Sequence, residues 1–154
     1  MRETSNALRA TIEESLPRLR AIGEDQASVR PAAGGWSKKE ILGHLIDSTA
    51  NNHHRFVRAQ QSNPLIFPRY DPDFWVSAQS YQTAPWAALV ELWGYYNVHL
   101  AHVMEGIPLE MSANATNIAA DEPGTLGELV KDYLVHLRHH LSELIPGPFS
   151  QESL

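Results

Sequence analysis

The sequence predicts an all-α protein, a four-helix bundle, on three observations. Apolar residues recur at steps of three or four in four stretches, two capping boxes open the second and the fourth of these, and no segment shows sustained strand alternation. At 154 residues the chain has the length of one domain, enough to bury a core without covalent staples.

The first helix is expected over Thr4 to Ile22, where Leu8, Ile12, Leu16, Leu19 and Ile22 share a face. Pro17 lies inside it and predicts a kink or a division, because its ring removes one backbone donor. After the turn-rich "PAAGGW", Ser37 and Glu40 form a capping box, and the second helix runs to about Gln60 with Ile41, Leu45, Asn52 and Phe56 on one side. The third begins near Pro85, turns Leu89, Leu92, Trp93, Tyr96, Leu100 and Val103 inward, and stops at "EGIP". The fourth opens on Thr125 and Glu128, buries Leu126, Leu129, Tyr133, Leu137, Leu141 and Leu144, and ends at "PGP" before the polar tail "FSQESL".

Two connections are long, about 24 residues between helices two and three and about 18 between three and four. Loops of this length inside a compact fold are uncommon and more often functional than idle. In the first, "YDPDFWV" offers Phe74, Trp75 and Val76 as anchors, with Trp75 a candidate pocket wall and Asp71 and Asp73 as turn caps. The second, "PLEMSANATNIAADEPG", is polar and suits a cover over one end of the bundle.

Composition excludes several classes. With 43% hydrophobic and 19% charged residues and no apolar run of membrane-spanning length, the chain reads as soluble and without a membrane partner. The opening "MRETSNALRATIEESL" is amphipathic and unlike a signal peptide, so a cytoplasmic location is expected. Zero cysteines leave only nitrogen and oxygen as metal ligands. A net charge of −6 with no cluster of Lys and Arg argues against nucleic acid. There is no glycine-rich phosphate loop, no Gly-x-Ser-x-Gly elbow and no His-Glu-x-x-His pair. Tyr133 stands three before His136, where a di-iron bundle would carry glutamate.

Histidine is the remaining chemistry, and "VHLRHHLSEL" holds three of the eight. His136 and His140, four apart, lie about 40° apart on a helical wheel and one turn above each other. His136 borders the buried stripe and His140 falls inside it, whereas His139 projects to the other flank. On the second helix His44 also faces inward, followed by a polar lane of Ser48, Asn51, Asn52 and Arg55 that a purely structural helix does not need. Three imidazoles from two helices match a facial metal site with positions left open for water and substrate. On the residues alone a second reading stays open, in which each inward histidine is a core residue hydrogen-bonded to a carbonyl or a tyrosine. His99 is a candidate fourth ligand or pocket residue. His53 and His54 suit exposed positions or a subunit contact, and Asp47 either orients His44 or is a solvated acid.

The segments "GGWSKKEILGHLIDSTANNHHRFVR", "YDPDFWV" and "YLVHLRHHLSEL" together, in order and spacing, resemble the DinB-like superfamily, in its YfiT-related branch of metal-dependent hydrolases and thiol S-transferases. The resemblance implies a four-helix bundle that forms homodimers. It implies that His44, His136 and His140 bind a divalent metal ion, nickel or zinc with manganese as a further candidate, and that water completes the shell. Some relatives use a low-molecular-weight thiol cosubstrate such as bacillithiol or mycothiol, and related bundles include a thiol-dependent isomerase. His102 departs from the pattern, since a basic residue often stands there. The expected function is a metal-dependent enzyme that activates water or a thiol against a small-molecule substrate, with Asn51, Asn52 and Arg55 as candidate substrate contacts. The competing class is a non-catalytic metal-binding or small-molecule-binding stress-response module.

Overall fold

The computed structural model describes residues 1–118 and 123–147. Its elements run α1 (Arg2–Arg20), α2 (Glu24–Ser28), α3 (Lys38–Gln61), β1 (Leu65–Phe67), α4 (Pro72–Ala78), α5 (Trp86–Gly106), β2 (Ala115–Ile118), β3 (Gly124–Thr125) and α6 (Leu126–Leu144). The polar tail and the centre of the second long connection lie outside the described residues.

Helices α1, α3, α5 and α6 form the bundle, with α1 and α3 each packed against both α5 and α6. Leu8, Leu19, Leu45, Trp93, Leu100 and Leu137 are among its fully buried side chains. Both predicted capping boxes are present, Ser37 with Glu40 opening α3 and Thr125 with Glu128 opening α6. Each satisfies two backbone donors at a helix start that otherwise lack partners. Pro17 does not divide α1, which continues over it to Arg20. A proline this near a C-terminus forfeits only one bond of the ladder, and burial of Leu19 holds the last turn in place.

Helices α3 and α6 are antiparallel, and three contacts set their register. Lys38 Nζ donates to the Leu144 carbonyl (2.6 Å), Thr49 Oγ1 lies 2.9 Å from the Tyr133 hydroxyl, and the rings of Phe56 and Tyr133 meet edge to face at 6.0 Å. Tyr133 also donates to Asn97 Oδ1, and Asn97 Nδ2 donates to Thr49 Oγ1 (3.2 Å), so a buried polar network joins α3, α5 and α6. Because each member is hydrogen-bonded, the network specifies one arrangement of the helices without stranding a polar group. The α3 segment from Leu42 to Thr49 is buried on every side, since the bundle covers one face and the long connection the other.

That connection is more ordered than its sequence suggests. Asp71 caps α4 by accepting from the Asp73 and Phe74 amides (3.0 and 3.3 Å). The anchor is Val76, while Phe74 is 67% exposed, contrary to expectation, because α4 turns that side to solvent. Leu92, expected inside, is 50% exposed on the outer face of α5. A small sheet, also unanticipated, links the two long connections: β1 pairs parallel with β2 (Leu65 opposite Thr116) and β2 antiparallel with β3 (Ala115 opposite Thr125). Strands of two to four residues carry no readable alternation, so only the pairing reveals them. The sheet leads directly into Thr125, the N-cap of α6, and so brings the outer loops to the flank of the histidine helix.

Candidate metal centre

His44 on α3 meets His136 and His140 on α6 at the end of the bundle where Lys38 fastens the two helices. Ring centroids lie 5.2 Å apart for His44 and His136, 4.9 Å for His44 and His140, and 4.7 Å for His136 and His140. His44 Nε2 and His136 Nε2 are 3.2 Å apart, and one nitrogen from each of the three rings lies within 4.8 Å of the others. Burial lowers the pKa of both His44 and His136 to about 4, assisted by the neighbouring imidazoles. Both rings are therefore neutral at pH 7 and present lone pairs, the form a metal requires. Donor type, spacing and charge state all fit a divalent ion.

Each ring has a different support. His140 Nδ1 lies 2.9 Å from Glu143 Oε2, which favours the tautomer protonated at Nδ1 and leaves Nε2 as the lone-pair nitrogen. Glu143 follows His140 by three residues on α6, so the i, i+3 spacing of the helix brings the two side chains together. His136 Nδ1 lies 3.4 Å from Ser48 Oγ, the first residue of the polar lane. Trp36 packs its ring against His44 at 5.1 Å, a neighbour that no helical spacing could have indicated because Trp36 precedes α3.

Asp47 is neither a solvated acid nor the orienter of His44. It is 2% exposed, and its Oδ1 accepts from the Tyr81 hydroxyl (2.7 Å) and Gln79 Nε2 (2.6 Å). Asp47 Oδ2 and His44 Nδ1 are both buried without a hydrogen-bond partner. Burial raises the Asp47 pKa against the two donors that lower it. Tyr81 reaches this position because residue 43 is glycine: a Cβ there would overlap the Tyr81 ring.

Ser48, Asn52, Arg55, Tyr70, Leu129, Asp132, Tyr133 and His136 line a cavity of about 190 Å³ that opens beside the cluster. Asn52 and Arg55 of the polar lane are both in this lining. Asn51 does not line this cavity, and its amide donates to the Asp47 carbonyl (2.9 Å) on its own helix. A larger cavity of about 520 Å³ lies behind Trp36 and Tyr81 and includes none of the three histidines. Trp75 packs on Tyr70 at 5.0 Å and is one layer removed from the cavity that Tyr70 lines. His99 is not part of the cluster, since its ring meets His53 edge to face at 5.1 Å.

The chain resembles known proteins in both sequence and fold. A Bacillus mycoides protein named "Putative metal-dependent hydrolase" is 25% identical over 129 residues, covering 82% of this chain and 72% of that one. An Oceanobacillus iheyensis protein of the same name is 25% identical over 139 residues, covering 85% and 78%. Among solved structures, YfiT from Bacillus subtilis, described as a probable metal-dependent hydrolase with an unusual four-helix bundle topology, superposes with a TM-score of 0.77 at 20% identity, covering 94% of this chain and 85% of that one. Mycothiol-dependent maleylpyruvate isomerase superposes with a TM-score of 0.79 at 11% identity, covering 98% of this chain and 63% of that one. At these identities the two structures establish a shared fold. The model of the DinB superfamily matches residues 7–144, which take in α3, α5 and α6 and most of α1, and the chain belongs to that superfamily.

Proposed function

We propose that this protein is a divalent-metal-dependent enzyme in which His44, His136 and His140 hold the ion, nickel or zinc with manganese as a further candidate, and in which water or a low-molecular-weight thiol is the nucleophile. The observation that carries the reading is the convergence of three imidazole nitrogens, one from each ring, within 4.8 Å of one another beside an accessible cavity. A bound divalent ion there would supply Lewis acidity, which makes water or a thiol a competent nucleophile near neutral pH.

The chain's own residues supply the rest. Glu143 fixes the His140 tautomer, and the Thr49, Asn97 and Tyr133 network holds α3 and α6 at the spacing the cluster needs. Three protein ligands with a cavity alongside suit a reactive site better than a structural one, which four protein ligands normally close. The chain contains no cysteine, so a thiol would enter as a cosubstrate. The homodimer implied by the family belongs to the same reading, and light scattering on the purified chain measures it.

Elemental analysis of protein prepared without a histidine tag tests the proposal. About one metal per chain is expected in the native protein and none in His44→Ala of unchanged helix content. A native chain that takes up no nickel, zinc or manganese would return the three histidines to core packing and favour a non-catalytic binding module. Loaded protein then serves for screening hydrolytic and thiol-transfer substrates.

A further inference from the structure

The cavity beside His136 contains a cation that the three histidines do not use. Arg55 lies about three turns along α3 from His44, and its side chain forms part of the cavity wall. Its Nε is buried without a hydrogen-bond partner, and its Nη1 contact is Asn52 Oδ1 at 3.5 Å. No carboxylate among the described residues forms an ion pair with it. Nearby chemistry instead holds the group in place: the Phe67 ring lies 5.4 Å from its Cζ, and Asn52 is fixed by donating to the Ser48 carbonyl at 2.9 Å. Burial disfavours its charge, and a second cation, Arg69, adds to that. A guanidinium nevertheless stays protonated, so the fold carries a partly desolvated positive charge whose Nε has no acceptor and whose Nη1 meets only the neutral Asn52 amide oxygen.

A continuous polar path leads from this charge to the cluster. Asn52 Nδ2 lies 3.4 Å from Ser48 Oγ, which lies 3.4 Å from His136 Nδ1. We propose that Arg55, steadied by Asn52 and Phe67, receives the carboxylate of a small substrate whose reacting group lies at the three-histidine cluster, an inference that rests on that cluster being the reactive site. The Arg55 guanidinium can balance one negative charge, and the Asp132 carboxylate on the same wall opposes any further one, which suits a carboxylate and disfavours a doubly charged phosphate. At about 190 Å³ the cavity is smaller than the roughly 300–1,000 Å³ of drug-sized ligand sites, so the acid is short.

The test compares matched acids and amides. Isothermal titration calorimetry is run with 3-mercaptopropionate and 6-mercaptohexanoate and with their amides, on metal-free and nickel-loaded protein. For at least one chain length the native protein should bind the acid about tenfold more tightly than the amide. Arg55→Gln should bind acid and amide alike with the amide affinity unchanged, and Arg55→Lys should keep part of the preference, which guards against loss of folding in the first variant. Equal binding of acid and amide by the native protein at both lengths, or a preference that survives Arg55→Gln, overturns the proposal. Failure of the metal reading looks different: nickel would leave every affinity unaltered, while the acid preference and its loss in Arg55→Gln would persist.

Discussion

Two groups of histidines lie on opposite sides of α3; in both the rings lie close together, but only one brings three half-buried or buried rings to a common point. His44 and His53 are nine residues apart, which puts them about half a turn from each other around the helix. On the inner side His44 meets two histidines of α6. On the outer side His53 meets His99 of α5 at a ring separation of 5.1 Å, close to the 4.7–5.2 Å found inside. The outer pair is finished by Tyr96, whose hydroxyl lies 3.2 Å from His53 Nδ1, and by exposed His54 and His102. The inner rings are half-buried to buried, with ring nitrogens facing one another beside a cavity. Histidine adjacency is thus common to both faces, while convergence under burial belongs to one.

The largest expected effect separates the two groups directly. His136→Ala should abolish metal uptake, whereas His99→Ala should leave about one metal per chain. Elemental analysis of both variants, prepared without tags, decides the matter. Metal retained in the first and lost in the second would move the site to the outer face.

The metal-free chain gives the next contrast, in its response to acid. The folded His44 and His136 have pKa values of about 4, against an ordinary value of 6.5 when exposed. Between these limits the unfolded chain binds protons that the folded chain refuses, so stability falls as pH drops from 6.5 toward 4 and levels below it. Solvent reaching these partly open rings moderates the loss, and a fall of several degrees in Tm across that window is expected. The comparison with His44→Ala/His136→Ala isolates the effect, because removing both rings should flatten this part of the profile. An unchanged profile would mean that the two rings are not desolvated in the folded chain.

Gly43→Ala probes how the inner face is covered. The added methyl group meets the Tyr81 ring, which the Asp47 carboxylate holds by a hydrogen bond, so neither neighbour yields freely. Overpacking of this kind costs about 1–3 kcal/mol. Chemical denaturation of the variant should give a lower midpoint with an unchanged slope, while Val57→Ala on the exposed side of α3 should lie within about 0.5 kcal/mol of the native chain. Equal midpoints for Gly43→Ala and the native protein would show that Tyr81 does not pack there.

The same contrast explains what could be read before the fold was known. The four bundle helices were legible because apolar spacing and capping boxes are local signals, and His44, His136 and His140 because inward position on a helix follows from the same spacing. Asn52 and Arg55 were legible as members of a polar lane running along α3 from His44. Asp47 was misread because its partners, Gln79 and Tyr81, lie in the long connection and reach it only across the gap left at Gly43. The sheet was missed for a related reason: residues 65–67 find their partner strand some fifty residues later, and neither strand is long enough to show a period. Local signals therefore gave the clustered histidines, and long-range contacts gave the walls around them.

Glu143 offers the finest test of which histidines matter, because two arrangements share it. It lies 2.9 Å from His140 Nδ1 and 3.7 Å from His139 Nε2, so His139, His140 and Glu143 form a second possible ligand group on the exposed side of α6. If Glu143 acts by orienting His140, Glu143→Gln keeps an acceptor oxygen in place and removes only charge. Metal affinity should then fall by about tenfold, the low end of what an outer-shell partner costs, and His139→Ala should leave it unchanged. If the exposed group were the site, both substitutions would remove a ligand and metal uptake would collapse in each. His139 is 67% exposed against 19% for His140, so an ion held there would stay largely in water, without the buried rings that make the inner group distinctive. Competition titrations with a chromophoric chelator measure all three affinities on one scale and separate a tenfold loss from an abolished site.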